Sequence, residues 1–162
     1  MKLTHEIILG SQSPRRAAFL TSLGLDFRTL PLDIDESAPA HLSGMEVAAY
    51  VSELKAKALC THLKSGQLGI TSDTEVWQNK HRFGKPTDEA SAREMLVALS
   101  GTTHEVISGL TLVTIDNGTP LLTTESSLVT VYFSEIPDWA IDYSIKHYKH
   151  FDTAGPSGIP DW

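Results

Sequence analysis

Two arginines stand where a helix has little use for them. In Ile7-Ile8-Leu9-Gly10-Ser11-Gln12-Ser13-Pro14-Arg15-Arg16, Ser13 is a favoured N-cap and Pro14 a favoured first helical residue. Arg15 and Arg16 therefore fall in the first turn, at the positive end of the helix dipole, where an exposed cation is opposed by ~0.3–1 kcal/mol. A phosphate ligand reverses that balance. A strand, a tight Gly10-Ser11 turn and a helix start present backbone N–H groups to an anion, and guanidinium forks match phosphate oxygens bidentately. The alternative is that both arginines extend into solvent. Neither a Walker sequence nor G-x-G-x-x-G is present, so the common nucleotide fingerprints do not apply.

Four further positions could join such a site. In Thr71-Ser72-Asp73-Thr74, Asp73 follows a strand-like run, and a carboxylate at the mouth of an α/β sheet can hold a divalent metal or take a proton from water. Its alternative is an Asx-type turn cap. Lys85, in Phe83-Gly84-Lys85-Pro86, is a cation in a stiff loop or a plain surface turn. Glu36, in Asp33-Ile34-Asp35-Glu36-Ser37, is either a second metal ligand or a solvated acid. Lys55 lies on the edge of an apolar helical stripe, so its ammonium reaches a cleft or snorkels to the surface.

The elements that must carry these residues read as interleaved strands and helices. Glu6–Leu9 has the pattern of a buried strand, and Ser13–Leu23 that of a helix closed by Gly24. A second strand is expected over Leu25–Leu30. A helix follows over Gly44–Leu63, with Val47, Tyr50, Val51, Leu54 and Ala58 at helical spacing. Leu68–Ser72 reads as a strand continued by Thr74–Gln78, then a turn-rich segment to Pro86. Thr87 opens a helix with Ala92, Met95, Leu96 and Leu99 on one face, ending at Ser100-Gly101. Thr102–Ile115 and Leu121–Phe133 are strands around Asn117-Gly118, a strong hairpin signal. A last helix is expected over Ser134–His150. A mixed-sheet α/β domain follows.

The balance of the chain excludes several classes. Its 162 residues suit one domain. A formal charge of −7 does not recruit nucleic acid or an anionic membrane, and no apolar run approaches the ~18 residues of a membrane span. One cysteine, Cys60, excludes an internal disulfide and a cysteine-based zinc site, and is expected to pack as a small hydrophobe. With no signal-peptide pattern at the N-terminus, the cytoplasm is the expected compartment. His147 and His150 with Asp152 beyond have zinc-like spacing, although cations near a helix C-terminus also suit its dipole. His104 is expected to order a strand start.

In order along the chain stand Ser11-x-Ser13-Pro14-Arg15-Arg16, Asp33-Ile34-Asp35-Glu36-Ser37, Lys55-Ala56, Ser72-Asp73-Thr74, Gly84-Lys85-Pro86, Leu99-Ser100-Gly101-Thr102-Thr103-His104-Glu105-Val106 and Asp152-x-Ala154-Gly155. Together they resemble the Maf-like nucleotide pyrophosphatases over nearly the whole chain. The resemblance implies a mixed, mostly parallel sheet with flanking helices and two lobes about a central cleft. It also implies Mg²⁺- or Mn²⁺-dependent hydrolysis of nucleoside triphosphates to the monophosphate and pyrophosphate. Asp73 matches the family's proton acceptor, and Arg15 and Thr74 match positions tied to substrate choice in the branch acting on dTTP and UTP. Ser11, Arg16, Glu36, Lys55 and Lys85 match polar residues lining the cleft. Ser13 joins the substrate-binding set, and Glu36 and Asp73 are the expected metal ligands. A homodimer is one assembly state the resemblance leaves open.

The ending departs from the family pattern. Where a tyrosine and a glutamine are usual, Ala154-Gly155-Pro156-Ser157-Gly158-Ile159-Pro160 has Ser157 and Pro160. Residues 1–162 are expected to form one Maf-like domain lacking the family's last strand and helix. Two rival readings follow: a catalytically impaired nucleotide-binding homologue, and an interaction module that keeps only the scaffold.

Overall fold

The computed structural model describes residues 4–147. Along the chain run β1 (Glu6–Leu9), α1 (Pro14–Ser22), β2 (Phe27–Thr29), α2 (Met45–Cys60), β3 (Gln67–Gln78), β4 (His81–Phe83), α3 (Glu89–Leu99), β5 (Thr103–Asp116), β6 (Thr119–Tyr132) and α4 (Asp138–His147). The strands form one six-stranded sheet in the order β2-β1-β3-β5-β6, with β4 paired to β3 off that path. β1 has parallel partners on both sides, Ile7 standing beside Phe27 and Leu68, whereas β3 and β4 pair antiparallel. The mixed α/β class read from the sequence is the class observed. Among the described residues, no helix is long and apolar enough to cross a membrane.

The chain divides into two compact units, with the boundary inside the three longest strands. Among the described residues, the first holds residues 4–73 together with Ser108–Ser127, and the second holds Thr74–Ile107 together with residues 128–147. In the first unit Ile8, Ala56, Leu59 and Val113 form the core, with Leu30, Leu32, Cys60, Leu63 and Leu122 packed against it. Cys60 is thus a packing residue, as its solitary occurrence suggests.

Helix α2 lies very close to β5. A Cβ placed on Gly109 would stand 2.2 Å from the carbonyl oxygen of Ala48 and 2.9 Å from the nitrogen of Ala49. Hydroxyls pin the same helix. Thr71 Oγ1 donates to the carbonyl of Ser52 at 2.8 Å, Ser52 Oγ pairs with Thr111 Oγ1 at 2.8 Å, and Thr111 Oγ1 pairs with Thr124 Oγ1 at 3.0 Å. Ser52 and Thr71 are buried, so these bonds also satisfy groups that would be costly to strand.

The second unit packs Val76, Phe83 and Leu99 with Met95, Val106 and Phe133. Asp88 caps α3: its carboxylate accepts from Ser91 N at 2.7 Å, while the Asp88 N–H donates to Ser91 Oγ at 3.1 Å. Arg93 of α3 joins Asp138 and Asp142 of α4.

Two elements differ from expectation. The segment read as turn-rich contains β4, because Asn79 and Lys80, at φ 48° and 67°, make a two-residue hairpin turn that sets Gln78 beside His81. Helix α4 starts at Asp138, not Ser134. Ahead of it the Ser134 carbonyl accepts from Gly101 N at 3.1 Å, and Ile136 N donates to Ser100 Oγ at 2.7 Å, which commits this backbone to α3's end before a helix can begin.

Candidate active site

The turn after β1 is organised by Ser11. Gly10 N donates to the Ile70 carbonyl at 2.9 Å, carrying the β1–β3 pairing one step further, and Ser11 N then folds back to the Leu9 carbonyl at 3.0 Å. The Ser11 hydroxyl accepts from Ser13 N at 3.1 Å and from Arg16 Nη1 at 3.3 Å. Ser13 occupies the N-cap position with extended backbone, but its side chain makes no capping bond. The side-chain capping expected of Ser13 is therefore absent, and Ser11 does the local ordering instead.

Asp73 is mid-strand in β3, not at a strand end and not in an Asx turn. It nevertheless lies past Ile70, the last residue of β3 with a β1 partner, so the neighbouring strand has already turned away beside it. Strand alternation buries Gln67, Gly69, Thr71, Asp73 and Glu75 on one face. Facing Asp73 is Lys55, on the buried stripe of α2 with Ser52, Ala56 and Leu59. Its ammonium donates to Asp73 Oδ1 at 2.8 Å and reaches the Ser72 carbonyl at 3.5 Å. It also pairs with Glu36 Oε2 at 2.9 Å. Side-chain exposure is 9% for Lys55, against 45% for Glu36, so the lysine is an interior cation rather than a snorkelling one. Glu36 comes from an irregular segment shaped by its neighbour: Asp35 Oδ1 accepts from Ser37 N at 2.9 Å and from Ser37 Oγ at 2.6 Å.

The two arginines behave differently. Arg15 is exposed, as the solvent alternative has it. Arg16 turns inward to Ser11. Burial lowers its pKa, Asp73 and Glu36 raise it again, and Arg15 opposes its charge further. Ser11, Arg16, Glu36, Lys55 and Asp73 thus form one cluster within the first unit, drawn from four separate stretches of sequence. Two cations meet two carboxylates there.

Thr74 and Lys85 belong to the second unit. Thr74 is half-buried and, by alternation, on the opposite face of β3 from Asp73; Lys85 is exposed in the loop after β4. The same unit holds a pair the sequence reading missed. Glu75, 4% exposed, accepts two bonds from Arg82, from Nε at 2.5 Å and Nη2 at 2.6 Å. The available signal was the period of two along β3, which puts Glu75 on the same face as Asp73. His104 is buried with neither ring nitrogen hydrogen-bonded, and its ring meets Phe133 edge-on with centroids 4.6 Å apart. His147 stacks on Tyr143 at 4.0 Å. Its proposed zinc partners His150 and Asp152, and the departures Ser157 and Pro160, lie outside the described residues.

Among the described residues no three His, Cys, Asp or Glu side chains converge as a metal cage. The donor set formed by Glu36 and Asp73 still fits Mg²⁺ or Mn²⁺. Such ions are commonly held by one or two carboxylates with substrate phosphates completing the shell, and these two acids already converge on a common cation, the Lys55 ammonium.

Two cations, Lys55 and Arg16, gathered with two carboxylates beside the Ser11 turn of an α/β scaffold, make this the candidate active site. The chain matches the family described as Maf-like protein over residues 6–162, and it belongs to that family. Similar curated proteins include the dTTP/UTP pyrophosphatase of Phocaeicola vulgatus, 41% identical over 160 residues, covering 98% of this chain and 80% of that one. The dTTP/UTP pyrophosphatase of Flavobacterium johnsoniae is 37% identical over 158 residues, covering 98% and 79%. Among solved structures, the nucleoside-triphosphatase / dITP/XTP pyrophosphatase of Mycobacterium abscessus has a TM-score of 0.46 at 16% identity, covering 82% of this chain and 76% of that one. The Ham1 protein of Staphylococcus aureus has a TM-score of 0.45 at 19% identity, covering 82% and 72%.

Proposed function

We propose that the protein is a nucleoside triphosphate pyrophosphatase acting on dTTP, UTP or related nucleotides, releasing the monophosphate and pyrophosphate. The observation that carries this reading is the convergence of Arg16, Lys55, Glu36 and Asp73 beside the Ser11 turn. It is supported by the names of the curated relatives. Asp73 orients the attacking water and takes its proton as oxygen bonds to the α-phosphorus. The bond from that phosphorus to the bridging oxygen breaks, and the electron pair leaves with pyrophosphate. Arg15, Arg16 and Lys55 neutralise charge building on the leaving group. Ser11 holds Arg16 in place, and Ser13 adds its polar group to the phosphate turn. Thr74, in substrate choice, and Lys85, in phosphate neutralisation, complete the proposal on the resemblance alone. Glu36 and Asp73 would hold a Mg²⁺ or Mn²⁺ ion, which when bound supplies charge neutralisation to the triphosphate. The cytoplasm is the compartment proposed for this activity, since it holds a pool of nucleoside triphosphates. Light scattering distinguishes a homodimer from a monomer.

The test is pyrophosphate release from a panel of nucleoside triphosphates with Mg²⁺ or Mn²⁺, on the wild-type protein and on Asp73→Asn. Turnover should be highest with dTTP or UTP and fall ~10²–10⁴-fold in the variant, the usual range for a general base. The variant should still melt cooperatively, because Glu36 continues to pair with Lys55. A folded wild-type chain that binds nucleotides without releasing pyrophosphate removes the activity; a folded Asp73→Asn that retains most turnover removes Asp73 from the step.

A further inference from the structure

Lys55 bridges the two carboxylates proposed above to hold a divalent ion. Its ammonium lies 2.8 Å from Asp73 Oδ1 and 2.9 Å from Glu36 Oε2, on the two carboxylates assigned above to a divalent ion. It is also almost wholly withdrawn from water. A buried ammonium cannot give up both partners unless another anion replaces them, because an uncompensated interior charge is strongly unfavourable. The surrounding charges are balanced: Glu36 and Asp73 face Lys55 and Arg16. A divalent cation entering by itself makes this cluster strongly positive and stands against the ammonium at contact range, where Coulomb repulsion is large even at the effective dielectric of a protein surface. A triphosphate changes both conditions. Its oxygens offer Lys55 a replacement anion, and its negative charge offsets the metal it carries.

We propose that Lys55 is a built-in competitor for the metal, occupying Glu36 and Asp73 until a triphosphate draws it away, so that metal and nucleotide enter the site together. The inference rests on the function proposed above and concerns how that site is regulated. Its residues favour an exchange, since the flexible lysine stem can swing while β3 holds Asp73 fixed in the sheet. Linkage makes the effect reciprocal: the nucleotide strengthens metal binding by the same factor as the metal strengthens nucleotide binding.

The test reads metal binding without turnover. Water-proton relaxation enhancement separates Mn²⁺ on the protein from Mn²⁺ on free nucleotide, and it is applied to the whole chain with and without an α,β-imido analogue of dTTP. Wild-type protein should bind Mn²⁺ at least ~10-fold more tightly with the analogue present. Lys55→Met should bind Mn²⁺ alone at least ~10-fold more tightly than wild type, and Lys55→Met with Glu36→Gln should lose that gain. Lys55→Gln carries the same comparison if the methionine variant does not melt cooperatively, and the wild-type comparison needs no variant. Wild-type Mn²⁺ binding that ignores the analogue, or a folded Lys55 variant with no gain, overturns the role of Lys55 and leaves the metal assignment standing. If Mn²⁺ reaches the protein under neither condition, the metal assignment itself fails, and the competition with it.

Discussion

Gly109→Ala should be among the most damaging single-methyl changes in the first unit. The added Cβ would stand 2.2 Å from the Ala48 carbonyl oxygen and 2.5 Å from its carbon. Real Cβ atoms essentially never stand within 3.0 Å of such a neighbour, and carbon–carbonyl oxygen contacts usually settle near 3.3–3.6 Å, so α2 or β5 must yield by roughly 1 Å. Neither obstacle is a flexible side-chain tip; both are backbone. Overpacking of this kind costs ~1–3 kcal/mol. A shift of α2 also stretches the Thr71–Ser52 and Ser52–Thr111 bonds, both 2.8 Å at rest, each contributing ~1 kcal/mol. The total is about 3–5 kcal/mol, a large share of the ~5–15 kcal/mol that holds a domain folded. Urea denaturation at fixed pH measures it, with Gly24→Ala as reference. Gly24 has φ 68° and nothing within 4 Å of an added Cβ, so that change costs only the left-handed backbone penalty of ~1 kcal/mol. Because α2 carries Lys55, surviving Gly109→Ala protein should also lose turnover, on the order of the ~10²-fold that a misplacement of this size causes. A Gly109→Ala variant no less stable than Gly24→Ala would refute the close-approach argument.

The arginines should separate by single substitution. Arg15→Ala, at an exposed position, should leave stability within ~0.5 kcal/mol of wild type while weakening triphosphate binding. Arg16→Ala should cost ~1–2 kcal/mol even without ligand, because it removes a charged hydrogen bond to Ser11 and unbalances Asp73 and Glu36. Equal thermal shifts for the two variants would contradict the different surroundings of these neighbours. His104 should make the fold acid-sensitive. Burial lowers its pKa below the ordinary value near 6.5, so unfolding takes up a proton as the pH falls below that value. Stability from this source is complete above about pH 6.5 and declines with acidification until the folded-state pKa is passed. His104→Leu should flatten the decline below about pH 6.5, and parallel wild-type and variant curves would show that the ring does not titrate in this way.

Much of the architecture was legible because local chemistry was unambiguous. Asn117-Gly118 demanded a hairpin turn and has the two positive φ values such a turn needs, 47° and 80°. Pro14 marked the start of α1, and the apolar period marked the buried face of α2. β4 was obscured because its turn uses Asn79-Lys80, and lysine carries no signal for a left-handed backbone. The start of α4 was obscured because the competing bonds come from Ser100 and Gly101, remote in sequence from Ser134 and Ile136.

For the candidate site, the sequence by itself supplied the candidates. Residue types and spacing singled out Arg15, Arg16, Glu36, Lys55, Asp73 and Lys85, the family resemblance added Ser11, Ser13 and Thr74, and the helix-dipole argument marked the arginines as cations that local structure does not favour. Only the tertiary structure decided which of them meet. Arg15 and Arg16 are adjacent in sequence and share a helix, yet one faces water and the other faces Ser11 and two carboxylates, since successive helical residues point about 100° apart. Lys55 sits on an apolar stripe that is compatible with a snorkelling side chain, until β3 places Asp73 against that stripe and the loop at Asp35-Glu36-Ser37 adds a second acid. Strand alternation was readable for Asp73, but the partner of its buried carboxylate was not. Which charge lies opposite depends on how closely α2 approaches the sheet, and that distance is set by Gly109 and the hydroxyls of Ser52, Thr71 and Thr111, residues with no chemistry of their own to announce it.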